Sequence, residues 1–571
     1  RGGIEKMQAI QSLKVTGSVN AGAARGKGGS WLLDPQDYTI DAAAAASIVS
    51  TLNTGTQVRV SNYNGSSGTN GDLTVASALS WTSSANLQLT AANNLYINAP
   101  ITAPSGGLDI LDVGGTIYAP AAIDIGTFIL RNTISQPKGV WRQVGGPLPA
   151  FTARSFSITG GPTFIRALSG DGTVGNPYYL VDIYGVQGIG SYGMYNKAYI
   201  LANSIDASIT ATWNPNGSGG YYGFAPIRSE NGYKFSDIFD GGGFTINGLY
   251  VKNGAYSGGL FADVDGATIR NLGLTGVNIT GSANVGGLAG YLSGGSVTNV
   301  YVTGAVSGTG GAFGVGGLIG ESWNTTITNS HNAATVSGVS DKVGGLVGYN
   351  SANSNITACY STGAVTGTVD GAKVGGLVGS NDGATITSSY STGNVSGYYA
   401  GGLAGRDRNG TITNSYHTTG TVSSSKYAGG LVGYADYTMV SNSYNSGGVS
   451  VGGSYDGYAG GLVGYSVNTT GLGVKIEQSY NSGSVSVTNN GNSSRVAGGL
   501  IGGSDTSYIK DSYNTGSVTM TGAPSGSGGG LVGFNRGGGQ INYSYNTGAV
   551  SGFTNAGGLA GGTTNMGGYY S

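Results

Sequence analysis

Residues 346–377 read LVGYNSANSNITACYSTGAVTGTVDGAKVGGL, and this one stretch holds the plan of the chain's second half. Apolar beats fall at Leu346, Ile356, Val365 and Leu377, each bounded by Gly, Asn, Ser or Thr, which reads as three short strands and three turns. The closing Gly-Gly-Leu starts the next copy. Gly-Gly-Leu-x-Gly recurs with its leucine at Leu288, Leu318, Leu346, Leu377, Leu403, Leu431, Leu462, Leu500, Leu531 and Leu559, after a degenerate GGLFA at Leu260. By residue number the steps are 28, 30, 28, 31, 26, 28, 31, 38, 31 and 28, about 30 on average. A unit this short cannot bury its apolar face alone, but coils stacked on one another make a continuous core. The expected fold is all-β, a parallel β-solenoid (β-helix) with one coil per ~30-residue repeat. Eleven coils at about 4.8 Å each would stack to roughly 50 Å.

Upstream the period shortens. Leu73, Leu95 and Ile117 are 22 apart, as are Leu79, Ile101 and Ile123, and Val75, Ile97 and Ala119, while Leu87, Leu108 and Ile129 step by 21. These columns predict narrower coils of one ~22-residue repeat each, over 1–135. Residues 136–248 carry seven of the 12 prolines and read as a transition with loops and a lid or small helix near LVDIYGVQGIGSYGM (180–194), leaving 249–571 for the ~30-residue coils. No segment sustains a helical apolar period, so helices are not expected to compete.

Composition bounds the chemistry. Of 571 residues 112 are glycine, without the third-residue period of collagen, and 39% are hydrophobic, too many for a disordered linker. Lys and Arg total 25 against 26 Asp and Glu, so the net charge of −1 offers no basic face for nucleic acid. No apolar run reaches the ~20 residues of a transmembrane span. One cysteine excludes a disulfide framework, and two histidines, His331 and His417, leave little for metal or base chemistry. The chain opens on Arg1 without a signal peptide and closes on TTNMGGYYS (563–571) with no cap, so it is expected to be a piece of something longer, ending at a truncation point or an interface.

The GGLVG…ITNSYSTGxVSG unit resembles the GLUG motif family of large bacterial surface proteins, from about Phe244 to Ser571. WLLDPQDYTID (31–41), GDLTVASALSW (71–81) and NLQLTAANNLYINAPITA (86–103) are similar to filamentous-haemagglutinin-like exoproteins of two-partner secretion, although the secretion-recognition domain of that class is not evident. The resemblance implies a right-handed β-helix, an outer-membrane two-partner-secretion transporter as partner, and a secreted protein displayed at a Gram-negative cell surface.

Two adjacent columns carry the candidate contacts. Val300, Ser330, Cys359, Ser389, Ser415, Ser443, Ser479, Ser512 and Ser544 form a small, inward-reading column, which makes Cys359 a buried spacer. The next residues are Tyr301, His331, Tyr360, Tyr390, Tyr416, Tyr444, Tyr480, Tyr513 and Tyr545, and strand alternation turns them outward as a contact ladder. Stacked aromatics at coil spacing would meet sugar rings or another fibre, or only stiffen the stack. The ten repeat leucines, Leu288 to Leu559, form the structural core ladder. The Gly-Gly pairs suit corners that need positive φ or close approach of coils; a phosphate loop would need a helix that the pattern does not predict.

Asp341 and Asp370 fall in equivalent loops of adjacent coils, as do Lys342 and Lys373, which reads as mutual neutralisation. Asp34, Asp37, Asp41, Asp237 and Asp240 are candidate caps or calcium ligands, though no calcium-loop motif accompanies them. No catalytic, cofactor-binding or metal site is expected. The function read from the sequence is a surface adhesin or component of an extracellular fibre. It would act through repeated Tyr, Asn and Thr rows on host, surface or matrix glycans or on other copies of itself. The alternative is a polysaccharide lyase or hydrolase on the same scaffold. A flat threonine array for ice or mineral is weakened where Thr298, Thr328, Thr357, Thr387 and Thr413 give way to Glu477 and Lys510.

Overall fold

The computed structural model describes residues 4–8, 14–15, 17–21, 29–35, 37–62, 71–133, 139–228, 232, 234–253, 257–351, 353–453, 455–468, 473–489, 494–522 and 526–563. They form two compact units, Arg1–Phe244 and Thr245–Ser571. Both are built from parallel β-strands paired coil to coil, a parallel β-solenoid. No helix among the described residues is long and apolar enough to cross a membrane.

In the first unit an eight-stranded sheet runs from Ile4–Gln8 to Phe151–Thr159, beside a six-stranded sheet ending on Thr163–Ala167. Leu73 pairs Leu95 and Leu95 pairs Ile117; Leu79 pairs Ile101 and Ile101 pairs Ile123. All are buried, as residues on the inward face of the coil must be. Val75 pairs Ile97 in the same way, but the column of Leu87, Leu108 and Ile129 departs from the expectation: Leu87 pairs Leu108, while Leu108 pairs Phe128, and Ile129 pairs Asp109. Between Ala103 opposite Ile125 and Gly107 opposite Thr127, the strand Ile101–Leu111 carries two extra residues, a bulge that changes the step.

Parallel pairing runs on through Val140–Val144, Phe151–Thr159 and Thr163–Ala167. The expected boundary at 135/136 lies outside the described residues. A helix does form at Ile183–Gly188, within the stretch expected to hold one, with the Asp182 carboxylate accepting from the Gly185 N–H at 2.9 Å.

A second helix, Ala42–Asn53, was not anticipated from the apolar pattern. Asp41 is its N-cap, accepting from the Ala44 N–H at 2.9 Å, and five alanines with Ile48 and Leu52 supply propensity and a buried face. Asp41 is therefore a cap, while Asp37 accepts the Asp72 N–H at 3.1 Å. Asp237 and Asp240 accept from the Ile238 and Gly242 N–H groups.

In the second unit each coil visits the same columns in order. An 11-stranded sheet from Phe261–Asp265 to Ala560–Thr563 stacks the strands that follow the repeat leucines. Strands such as Asn355–Thr357, Tyr360–Ser361, Val365–Gly367 and Lys373–Gly375 complete the coil. Nine of the ten repeat leucines are fully buried, and Leu559, in the last described coil, is 37% exposed. Residues 564–571, including nearly all of the expected uncapped end, lie outside the described residues.

The Gly-Gly pairs are explained by close approach and not by positive φ. A Cβ on Gly345 would lie 2.0 Å from the Gly376 carbonyl oxygen of the next coil, and one on Gly344 would lie 1.9 Å from the Val347 oxygen. Neither glycine has positive φ. On this backbone a side chain at either position would run into a carbonyl oxygen.

Candidate functional site

The candidate face begins with one left-handed residue per coil. Asn299, Asn329, Ala358, Ser388, Asn414, Asn442, Gln478, Asp511 and Tyr543 all have φ between 47° and 55°. This corner resets the alternation, so that the next residue points inward, the one after it outward and the third inward again. Asparagine is the natural occupant, since its short amide tolerates this conformation better than other side chains.

The inward serines bind coil to coil. Ser415 Oγ accepts from the Ser389 N–H of the preceding coil at 3.1 Å and donates to the Thr413 carbonyl of its own coil at 2.8 Å. Ser443, Ser479 and Ser512 repeat the same pair of bonds. Cys359 occupies this column fully buried, with its sulfur 3.3 Å from the Thr357 oxygen. Burial pushes its thiol up to about 11, so it is not a nucleophile at neutral pH.

The outward column is a continuous aromatic stack. Ring centroids are 5.1 Å apart for Tyr301 and His331 and 4.4 Å for His331 and Tyr360. From Tyr360 through Tyr390, Tyr416, Tyr444, Tyr480 and Tyr513 to Tyr545 the spacing is 4.9–5.1 Å, and no plane tilts more than 10° from the next. The rings are half-buried, with only Tyr545 exposed. Desolvation and then the neighbouring tyrosines raise the Tyr390 and Tyr480 hydroxyls, and burial lowers the His331 imidazole.

The asparagine row that follows the tyrosines is not available for contact. Asn332, Asn445, Asn481 and Asn514 are fully buried. Asn445 donates to Asn481 at 2.8 Å and Asn481 to Asn514 at 2.9 Å, and each also donates to the carbonyl two residues ahead. Their polarity is consumed inside the coil, where an unpaired amide would be costly. His417 sits in this same buried row, with Nδ1 2.8 Å from Ser391 Oγ and Nε2 3.2 Å from the Gly420 oxygen. Burial holds its imidazole down to about 4. The threonine row is half-buried, with Thr298 Oγ1 3.0 Å from Thr328 Oγ1.

The charged cluster separates into two. Partial desolvation raises the Asp341 carboxyl, but its pairs with Lys373 and Lys342 outweigh it and hold the carboxyl low. Asp370 forms no ion pair among the described residues; it accepts instead from the Tyr455 hydroxyl at 2.8 Å. A buried carboxylate was also missed: Asp407 is fully buried and accepts from Asn381 at 2.6 Å and Thr438 at 2.7 Å, and desolvation pushes it up to about 6. Its column runs Ser322, Asn350, Asn381, Asp407, each linked to the next by a side-chain hydrogen bond.

A second aromatic cluster, also missed, lies where Tyr399, Tyr427 and Tyr458 replace the lysines before the glycine pairs. Tyr399 stacks on Tyr427 at 5.0 Å, and Tyr427 on Tyr465 at 5.1 Å. The signal was the recurring Tyr-Ala-Gly-Gly at 399–402, 427–430 and 458–461.

Compared with known proteins, the chain matches the model of the GLUG motif at residues 281–307, 342–366, 370–396 and 424–451, and so resembles GLUG-repeat proteins. Halomucin of Haloquadratum walsbyi is 29% identical over 198 residues, which are 34% of this chain and 2% of halomucin's length. Among solved structures, a Bacteroides ovatus chain assigned to the immunoglobulin A1 proteases is similar over 58% of this chain and 80% of its own, with 18% identity and a TM-score of 0.30.

Proposed function

We propose that the chain is part of an extracellular, surface-displayed repetitive protein that works by contact, as an adhesin or fibre component, and that it carries no catalytic step. The observation that supports this reading best is the unbroken row of outward-facing rings from Tyr301 to Tyr545, flat and in register over nine coils. Such a row offers many equivalent weak contacts, and equivalent contacts on one rigid body add as avidity. The GLUG repeats and the likeness to a mucin-named protein support the extracellular setting. Passage through an outer-membrane two-partner-secretion transporter, and glycans or further copies of the chain as partners, complete the proposal.

The test replaces Tyr390, Tyr416 and Tyr444 with serine together. Adhesion to a glycan-coated surface, or association between copies, is expected to fall far more than with any single change, while the thermal midpoint moves little because the leucine column is untouched. A triple variant that adheres normally but melts early would reduce the ladder to scaffold and overturn the contact role.

A further inference from the structure

The loops before the glycine pairs differ in length, and the difference shapes the surface. The coils that return through Tyr399 and Tyr427 do so by short loops. They are flanked by longer loops carrying Asp370 on one side and Tyr455 on the other. These two residues are 85 apart in sequence, yet Tyr455 Oη donates to Asp370 Oδ2 at 2.8 Å, so the long loops lean together across the short coils. Tyr398, from between them, meets the Tyr455 ring edge to face at 5.4 Å.

Beside this bridge lies an open polar groove of about 420 Å³, inside the ~300–1,000 Å³ range of small-ligand sites. Its floor is a row of hydroxyls from successive coils: Ser396 pairs Ser423 and Ser423 pairs Ser450, with Ser423 Oγ 3.1 Å from Ser450 Oγ. Ser396 and Ser425 make no side-chain hydrogen bond among the described residues. Tyr398 forms an aromatic wall and Asp370 supplies the one lining carboxylate.

We propose that this groove binds a neutral oligosaccharide. No Lys, Arg or His lines it, and Lys426 Nζ, 5.4 Å from the Tyr398 ring centroid, lies outside the lining, so an acidic sugar or a phosphate would meet Asp370 in the groove with no lining cation to offset it. An apolar ligand would find only Val369 among large aliphatic side chains and would strand the serine hydroxyls. A hydroxyl-rich uncharged ligand matches every group: ring face to Tyr398, hydroxyls to the serine row, and a hydroxyl pair to the open oxygen of Asp370. The inference deepens the contact role proposed above and rests on it for the setting in which a glycan is met.

The experiment screens the purified chain by saturation-transfer NMR and calorimetry against neutral gluco-, galacto-, manno- and xylo-configured tri- and tetrasaccharides. Matched uronates and a short polyamine accompany them. At least one neutral saccharide is expected to bind. Tyr398→Ala and Asp370→Asn should each weaken it about tenfold or more, with Tyr398→Phe close to the parent. Asp370 is exposed, so its variant should keep the parent's thermal midpoint, which guards against loss by unfolding. Absence of any neutral binder, preference for the uronate or the polyamine, or binding indifferent to both substitutions would overturn the proposal. The tyrosine-to-serine triple variant should bind the oligosaccharide unchanged. Loss of adhesion in that variant and loss of sugar binding in the groove variants thus report on the two readings separately.

Discussion

Leu431→Ala is expected to destabilise the middle of the second unit by about 2–5 kcal/mol, the cost of deleting a buried leucine and leaving a cavity. Leu431 is fully buried, and its backbone carries the inter-coil bonds on both sides: Leu403 N–H donates to its oxygen, and its own N–H donates to Leu462, both at 2.9 Å. Hydrogen exchange should show faster opening at coils 403–462, with protection recovering away from the site, since solenoid stability sums nearest-neighbour terms. Uniform loss of protection across the unit would contradict that picture.

Asp407→Asn is expected to stabilise the protein at neutral and alkaline pH and to do nothing near pH 4. The folded carboxyl is raised to about 6 from 3.8, by desolvation first, so the folded state holds its proton more tightly than the unfolded chain. Stability from this group is therefore greatest below pH 3.8, falls as pH rises toward 6, and above that carries the whole cost of a buried, cation-free carboxylate. Raising a carboxyl that far corresponds to at most about 3 kcal/mol. Asparagine suits the site, because the column already holds Asn350 and Asn381 in equivalent positions. His417, in the same coil, has the opposite linkage. Its imidazole is depressed from 6.5 to about 4, so it contributes stability above 6.5 that is lost as pH falls toward 4. The two partly cancel in the parent. The difference in thermal midpoint between parent and variant, followed from pH 4 to 8, isolates Asp407; a constant difference would contradict the assignment.

What could be read from the sequence was what repeats with one side-chain class per column. Leu288 through Leu559 never change, so the coil and its core were legible. Serine before tyrosine was legible because Cys359 and Val300 betray a small inward slot. Three other features were hidden for physical reasons. The buried asparagines at 445, 481 and 514 read as solvent-facing turn residues, since the turn carbonyls that satisfy them come within reach only in the folded coil. The helix Ala42–Asn53 escaped because a run of alanine carries propensity without a period, and only Asp41 marks its start. The slip from Ile129 to Phe128 followed from a bulge, which a fixed step cannot express. The groove needed two loops 85 residues apart to meet.

Loop length has a further meaning. From Ile356 to Val365, Ile386 to Val395, Ile476 to Val485 and Ile509 to Val518 the chain keeps one length, because the corner, the small inward residue, the ring and the buried polar residue after it must all fall in register. The return loops are held by no such ladder, and lengthening a loop costs little, about 0.6 kcal/mol per doubling. In inheritance terms the coil is a fixed chassis with a free margin before each glycine pair. Small insertions and deletions before a glycine pair can raise a wall, open a valley or move it along the stack, and recognition on this face can diverge while the stack beneath it stays the same.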